Sequence, residues 1–264
     1  MGEVLQEGIY IYCIIEESQY QSFGTGAVGD RGDEVHTLCF NDIAAVVSNS
    51  PIKRYPVSRE NLLPHERVIE EVMKEYTVLP VRFATITESE DKVKKILERE
   101  YDKFKDLLDK IKGKKELGVK AVFSAKGEPA SGGKKDIYDH ILEKYEDIKK
   151  LKTALVSKAS QATYNQSVEI GKMVEAALEK EKESCKQDIL NTLMPLAQKN
   201  KINDTYGERM IINAAFLVNE ENEAAFDKAV DELDARYGDR VKFKYVGTLP
   251  PFNFVNLIIE LGKY

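Results

Sequence analysis

Between Asp136 and Lys199 only Gly171 and Pro195 interrupt a helical pattern, and no ordinary domain can house that length as one straight rod. At 1.5 Å per residue an unbroken helix there would approach ~95 Å, several domain diameters. The region must therefore bend, split into a hairpin, or project as an arm. Ile137, Ile141, Tyr145, Ile148 and Leu155 give its first part an apolar face, whereas the stretch from Ser157 to Ser167 is polar. A packed helical hairpin and a partner-docking surface are both open readings.

The segments around it supply a sheet. An alternating strand runs from Leu117 to Phe123, followed by a loop from Ser124 to Lys135 holding Gly127, Pro129, Gly132 and Gly133. After the helical region come a short strand near Lys201 to Asn203, a strand from Met210 to Val218, a helix from Glu220 to Tyr237 and a strand from Val241 to Leu249. The order is β-α-β-β-α-β, the ferredoxin-like arrangement of helices on one face of an antiparallel sheet. The last segment, Pro250 to Leu261, has two prolines and then Val255, Leu257, Ile258, Ile259 and Leu261. It is too apolar for a free tail and is expected to pack back as a strand or clamp.

The first part of the chain reads as a separate sheet domain. Ile9 to Ile15, Val35 to Phe40 and Ile43 to Val47 have strand composition, and Asn41-Asp42 supplies the turn between the last two. Gly24, Gly26 and Gly29 suggest a phosphate cradle, but no Lys-Ser/Thr pair follows and the next elements are strands, so a loop is expected. Thr87 to Glu90 forms a capping-box pattern ahead of a helix whose apolar face is Val93, Ile96, Leu97, Tyr101, Phe104, Leu108 and Ile111. Lys112-Gly113-Lys114-Lys115 ends it. The expected class is thus α+β with two domains: an N-terminal mixed α/β sheet domain over residues 1–112, and a C-terminal ferredoxin-like domain over 113–264 with the inserted helical region at about 136–199.

One stretch puts charge where packing is expected. From His65 to Thr85 the chain reads HERVIEEVMKEYTVLPVRFAT, a short amphipathic helix running into an apolar strand. Val68, Ile69, Val72, Met73 and Tyr76 form the helical stripe, with His65 on it and Pro64 in a first turn. In the strand, Val78 to Ile86, Leu79, Val81 and Phe83 share one face and Val78, Pro80, Arg82 and Ala84 the other. An unpaired buried guanidinium would cost several kcal/mol, so a His65, Glu66 and Arg82 polar cluster is expected to tie helix to strand. A zinc-protease helix is excluded because Ile69 stands where the second histidine ligand belongs.

Composition narrows the function. The chain has 264 residues, is 42% hydrophobic and 32% charged, and carries a net charge of -6. These values describe a soluble chain and argue against a general nucleic-acid surface. No apolar run approaches the ~20 residues of a membrane span, and no signal-peptide pattern opens the chain, so a cytoplasmic location is expected. Cys13, Cys39 and Cys185 are widely spaced and read as free thiols. His36 and His140 accompany no nucleophile motif, metal-ligand spacing is absent, and no cofactor motif is found, so no enzyme is expected.

His65-Glu66 followed by Val78-Leu79-Pro80-Val81-Arg82-Phe83-Ala84-Thr85 resembles the signature of the gas vesicle protein F/L family. Asn213-Ala214-Ala215-Phe216-Leu217-Val218 and Gly247-Thr248-Leu249-Pro250-Pro251-Phe252-Asn253-Phe254-Val255 resemble two further segments of it, in order. The family more usually has an aromatic at Leu249 and Gly at Ala84. The resemblance implies a cytoplasmic accessory factor, or minor vesicle component, that contacts the small hydrophobic shell protein, and other accessory proteins, during nucleation and assembly. It marks His65, Glu66, Arg82, Phe83, Asn213, Pro250, Pro251, Phe252 and Asn253 as structural or partner-binding candidates. A shell subunit with apolar surface aggregates unless shielded, and a cleft, a free sheet edge or a helical arm could shield it. Two alternatives stand beside this reading: a nucleotide- or metabolite-binding enzyme on the ferredoxin-like platform, and a scaffold bridging accessory proteins.

Overall fold

Strand β1 (Glu7–Ile15) is buried along both faces from Gly8 onward, which explains why it reads as a nearly continuous apolar run. It lies inside an antiparallel sheet with β2 (His36–Phe40), β3 (Ile43–Pro51) and β4 (Leu79–Pro80) in the order β2-β3-β1-β4, and β5 (Ile86–Thr87) also pairs with β1. Helix α1 (Arg59–Met73) covers one face, where Val68, Ile69 and Val72 meet Tyr10, Tyr12 and Cys13. On the opposite face α2 (Glu90–Arg99) and α3 (Tyr101–Ile111) bring Ile96, Leu97, Phe104 and Leu108 onto Ile9, Ile11 and Ile14. Each such aliphatic or aromatic side chain, once buried, contributes ~1.5–3 kcal/mol, which sets the scale of both layers.

The computed structural model describes residues 6–29, 31–125, 136–156, 163–255 and 257–259. It divides the chain into two units: Met1–Glu116 with Thr248–Tyr264, and Leu117–Gly247. The second unit is therefore an insertion within the first. This corrects the expected division at residue 112, because the C-terminal segment belongs with the first sheet: Val255 and Leu257 are buried in the α2/α3 layer, and Leu257 bridges Val81 in parallel.

The inserted unit contains β6 (Lys114–Phe123), which begins just ahead of it, then α4 (Ile137–Lys144), α5 (Glu146–Val156), α6 (Thr163–Leu193), β7 (Lys199–Ile202), β8 (Met210–Asn219), α7 (Glu223–Tyr237) and β9 (Val241–Leu249). Its sheet order is β7-β8-β6-β9, so the first and third strands of the unit are central, as in a ferredoxin-like sheet. Phe123 donates its N–H to Arg209 and Ser124 to Arg240, placing the end of β6 beside the starts of β8 and β9, as antiparallel pairing requires. Among the described residues the long helical region holds α4, α5 and α6, with α4 and α5 packed on α6. The expected loop from Ser124 lies outside the described residues from 126 to 135, and so does part of the polar stretch, 157–162.

Three local expectations change. The helix expected through Ile111 breaks at Glu100, whose φ of -101° and ψ of 12° leave the helical region. The bend lets Phe104 and Leu108 continue in the same core as Ile96 and Leu97. Pro64 lies inside α1, because the helix starts earlier, at Arg59. The expected strand from Val78 to Ile86 shortens to β4, a bridge at Val81, and a turn at Phe83 and Ala84 before β5. Ala84 has φ of 60°, a left-handed conformation that reverses the chain and moves Phe83 away from the face of Leu79 and Val81.

Candidate functional site

A bulge in β1 assembles the site. Ile11 pairs with Val47 and Cys13 with Val46, so Tyr12 is the extra residue and both Tyr12 and Cys13 face the α1 side together with Tyr10. Tyr10 and Tyr12, fully buried, lie with ring centroids 4.7 Å apart. Their hydroxyls are satisfied locally. Tyr12 shares a hydrogen bond of 2.9 Å with Ser48 and accepts the Val28 N–H at 3.0 Å, while Tyr10 accepts the Ala84 N–H at 2.8 Å. Ser50 and Tyr55 pair at 2.8 Å beside them, and the Tyr55 ring meets Tyr10 edge-on at 6.2 Å.

Helix α1 delivers His65 into this group. It is 1% exposed, stacks on Tyr12 at 5.7 Å, and meets Tyr10 and Phe83 edge-on at the same distance. The Phe252 ring lies 6.4 Å away on a further side. Such ring pairs contribute about 0.5–1.5 kcal/mol each beyond their buried area. His65 Nδ1 lies 3.2 Å from the Tyr10 hydroxyl. That hydroxyl also accepts the Ala84 N–H, so Tyr10 ties the ring to the turn at Ala84. Burial pushes the His65 pKa down to about 4, against a smaller pull from the Val81 backbone. The ring is therefore neutral at neutral pH and serves as an aromatic wall of this group.

The returning segment closes the group. Pro250 and Pro251 are buried and Phe252 is 41% exposed; the Phe254 and Val255 N–H groups donate to the Pro251 carbonyl in a tight turn. That turn presents Asn253 to Glu116, a carboxylate only 2% exposed. The Asn253 backbone N–H donates to Oε2 at 2.9 Å and its side-chain Nδ2 to Oε1 at 2.6 Å.

His65, Phe83, Pro250, Pro251, Phe252 and Asn253 thus converge in one unit, although 137 residues separate Asn253 from Glu116. Glu66 and Arg82 do not join them. Both are exposed, and among the described residues no ion pair links either to His65 or to the other, so the expected polar cluster is replaced by an aromatic one. The turn at Ala84 removes the reason for the cluster, because it leaves Arg82 in solvent, where a guanidinium needs no partner. Asn213 lies in the other unit, where it donates to the Asp204 carbonyl at 2.9 Å and holds the turn between β7 and β8. Sequence reasoning missed Tyr10, Tyr12 and Glu116. A Tyr-x-Tyr pair on a strand was available as a signal for the first two; Glu116, after two lysines, gave none.

Among the described residues no group of three or more His, Cys, Asp or Glu side chains is placed to hold a metal ion, and no helix is long and apolar enough to cross a membrane. The three cysteines are free.

Residues 8–256 match the family model described as gas vesicle synthesis protein GvpL/GvpF. Gas vesicle protein F of Dolichospermum flosaquae is 28% identical over 226 residues, covering 84% of this chain and 88% of that protein. The crystal structure of the gas vesicle protein GvpF from Anabaena sp. PCC7120 superposes with a TM-score of 0.77 at 26% identity, over 96% of this chain and 100% of that one. That of GvpF from Microcystis aeruginosa gives 0.71 at 26% identity, over 95% and 99%.

Proposed function

The chain belongs to the gas vesicle GvpL/GvpF family, and on that premise we propose that it binds the hydrophobic shell protein, keeps it from aggregating before assembly, and so supports vesicle nucleation. A role as a gas vesicle accessory protein follows from the family, which is not a known enzyme family. The finer reading, in which the client is the shell protein and other accessory proteins dock alongside it, rests on physical chemistry. Subunits that build a water-excluding surface carry apolar area that must be covered until they assemble.

The observation that carries this reading is the match along nearly the whole chain combined with the nature of its signature residues, which hold an aromatic core and position no reactive group. The surface supports contact through helices better than through sheet edges. Segment 21–23 pairs with 35–37 and covers the start of β2, while β7 and β9 present exposed Lys199, Lys201, Lys242 and Lys244. Lysines on an edge oppose strand addition. By contrast, α5 and α6 expose Leu151 at 44%, Tyr164 at 76% and Val168 at 42%.

The test is co-expression with the shell protein, followed by pull-down and measurement of the soluble shell fraction. The wild type is expected to co-purify with it and raise that fraction. A Leu151→Asp/Val168→Asp double variant, folded by circular dichroism, is expected to lose both effects. Absence of binding together with unchanged aggregation would end the chaperone reading.

A further inference from the structure

The helices of the inserted unit cover one face of its sheet, where Leu117, Val119 and Ala121 of β6 pack with Ile141, Ile189 and Phe226. Side chains alternate along a strand, so the intervening residues turn to the other face. On β6 the intervening charged residue is Lys120, and on β9 Lys242 and Lys244 flank Phe243, which packs with the helices. On β7, Lys199 and Lys201 pair with Leu217 and Ala215, which alternate with the helix-facing Ala214, Phe216 and Val218. All five lysines are exposed, and among the described residues none of them enters an ion pair. The four strands carry a single carboxylate, Glu116, which is buried and held by Asn253. On a chain of net charge -6 these strands therefore expose charge of one sign, and it is positive.

We propose that this lysine face receives an acidic helix of a partner protein, whose Asp and Glu side chains meet the lysines of β6, β7 and β9. Protection of sheet edges accounts for lysines on β7 and β9 but not for Lys120, because β6 is an interior strand in the order β7-β8-β6-β9. Unpaired like charges on one face repel one another, and a partner of opposite sign relieves that repulsion and is steered in by it. The dimensions suit a helix. Three strand spacings of ~4.8 Å set β7 and β9 ~14 Å apart, and a helix with its side chains is ~10–12 Å wide. A helix there would complete the second layer of the sheet, over the small or apolar Gly118, Val122 and Val246 of the same face. Single-stranded nucleic acid fits less well, since its bases stack on aromatic side chains of an open sheet. The outward positions of β6 and β8 are Gly118, Lys120, Val122, Asn213, Ala215 and Leu217, with no aromatic among them. The face lies across the sheet from α6 and α7, and the inference does not depend on the shell-protein reading.

The experiment selects a phage-displayed three-helix scaffold, randomised along one exposed helix, on the full chain, with counter-selection on Lys120→Ala/Lys201→Ala/Lys244→Ala. Enriched helices are expected to place Asp or Glu at three- and four-residue spacing along one face. By fluorescence anisotropy they are expected to bind the wild type at least tenfold more tightly than the triple variant. Lys120→Ala alone is expected to weaken binding at least threefold, which a role confined to the sheet edges would not produce. Lys228→Ala, which removes an exposed lysine from α7, is expected to bind as the wild type does. Thermal melts establish folding, and the single Lys120 variant carries the test should the triple variant fail to fold. Helices selected without acidic enrichment, equal binding by the wild type and Lys120→Ala, or an equal loss in Lys228→Ala would overturn the proposal. So would tighter binding of single-stranded oligodeoxythymidine or phosphatidylserine vesicles than of the selected helices.

Discussion

Asn253 grips both oxygens of the buried Glu116 carboxylate, one through its side chain at 2.6 Å and the other through its backbone N–H at 2.9 Å. The pair joins the point where the chain leaves the first unit to the segment with which it returns. Asn253→Ala removes the side-chain donor from a buried charged acceptor and is expected to lower stability by about 1.5–3 kcal/mol in urea denaturation. Asn253→Asp, which sets a second carboxylate against the first, is expected to cost more.

Ala84 holds φ of 60°, where a Cβ is disfavoured. Ala84→Gly relieves roughly 1–2 kcal/mol of that strain, less the greater entropy that glycine loses on folding. A net gain of about 0.5–1 kcal/mol is expected, read as a rise in thermal midpoint. Ala84→Val is expected to lower it.

The pKa of His65 falls from 6.5 to about 4 on folding, so between those values the unfolded chain binds more protons than the folded one. Its contribution is fully present above pH 6.5 and is lost as the pH falls toward 4, a swing of about 3 kcal/mol. Urea titrations of the wild type and of His65→Gln should therefore diverge most at neutral pH. Their gap should close on acidification; parallel pH profiles would contradict the neutral buried state.

Two glycines should respond oppositely to alanine. A Cβ on Gly8 would lie 2.5 Å from the Thr87 carbonyl oxygen and 2.7 Å from Ile52 Cγ1. Gly8→Ala is expected to cost about 1–3 kcal/mol by forcing β1 away from β5. A Cβ on Gly171, within α6, meets nothing within 4 Å, so Gly171→Ala is expected to stabilise by ~1 kcal/mol through helix propensity. Thermal melts of the two variants test both.

Periodicity revealed most elements because burial is one-sided in most of them: α7 turns Phe226, Val230 and Leu233 inward, and the β-α-β-β-α-β order follows. It misjudged Val78 to Ile86 because a positive φ at Ala84 leaves no trace in an apolar pattern. The charged cluster failed for the same reason, since placing Arg82 on a buried face presumed a straight strand. His65 was recognised as inward-facing, but its partners were not, because Tyr12 reaches it only through a bulge, which no alternation rule anticipates. Glu116 was invisible because its partner lies 137 residues away.

The insertion of residues 117–247 imposes an order on synthesis. During translation, the inserted unit has all its strands once Leu249 emerges, while the earlier sheet still lacks Phe252 beside His65, Asn253 on Glu116 and the aliphatic seal of Val255 and Leu257. The nascent chain must therefore carry a half-closed first sheet through about half of its elongation, ~7–26 s at 5–20 residues per second. The first sheet, begun by residues made early, is thus completed only by residues made after the whole insertion.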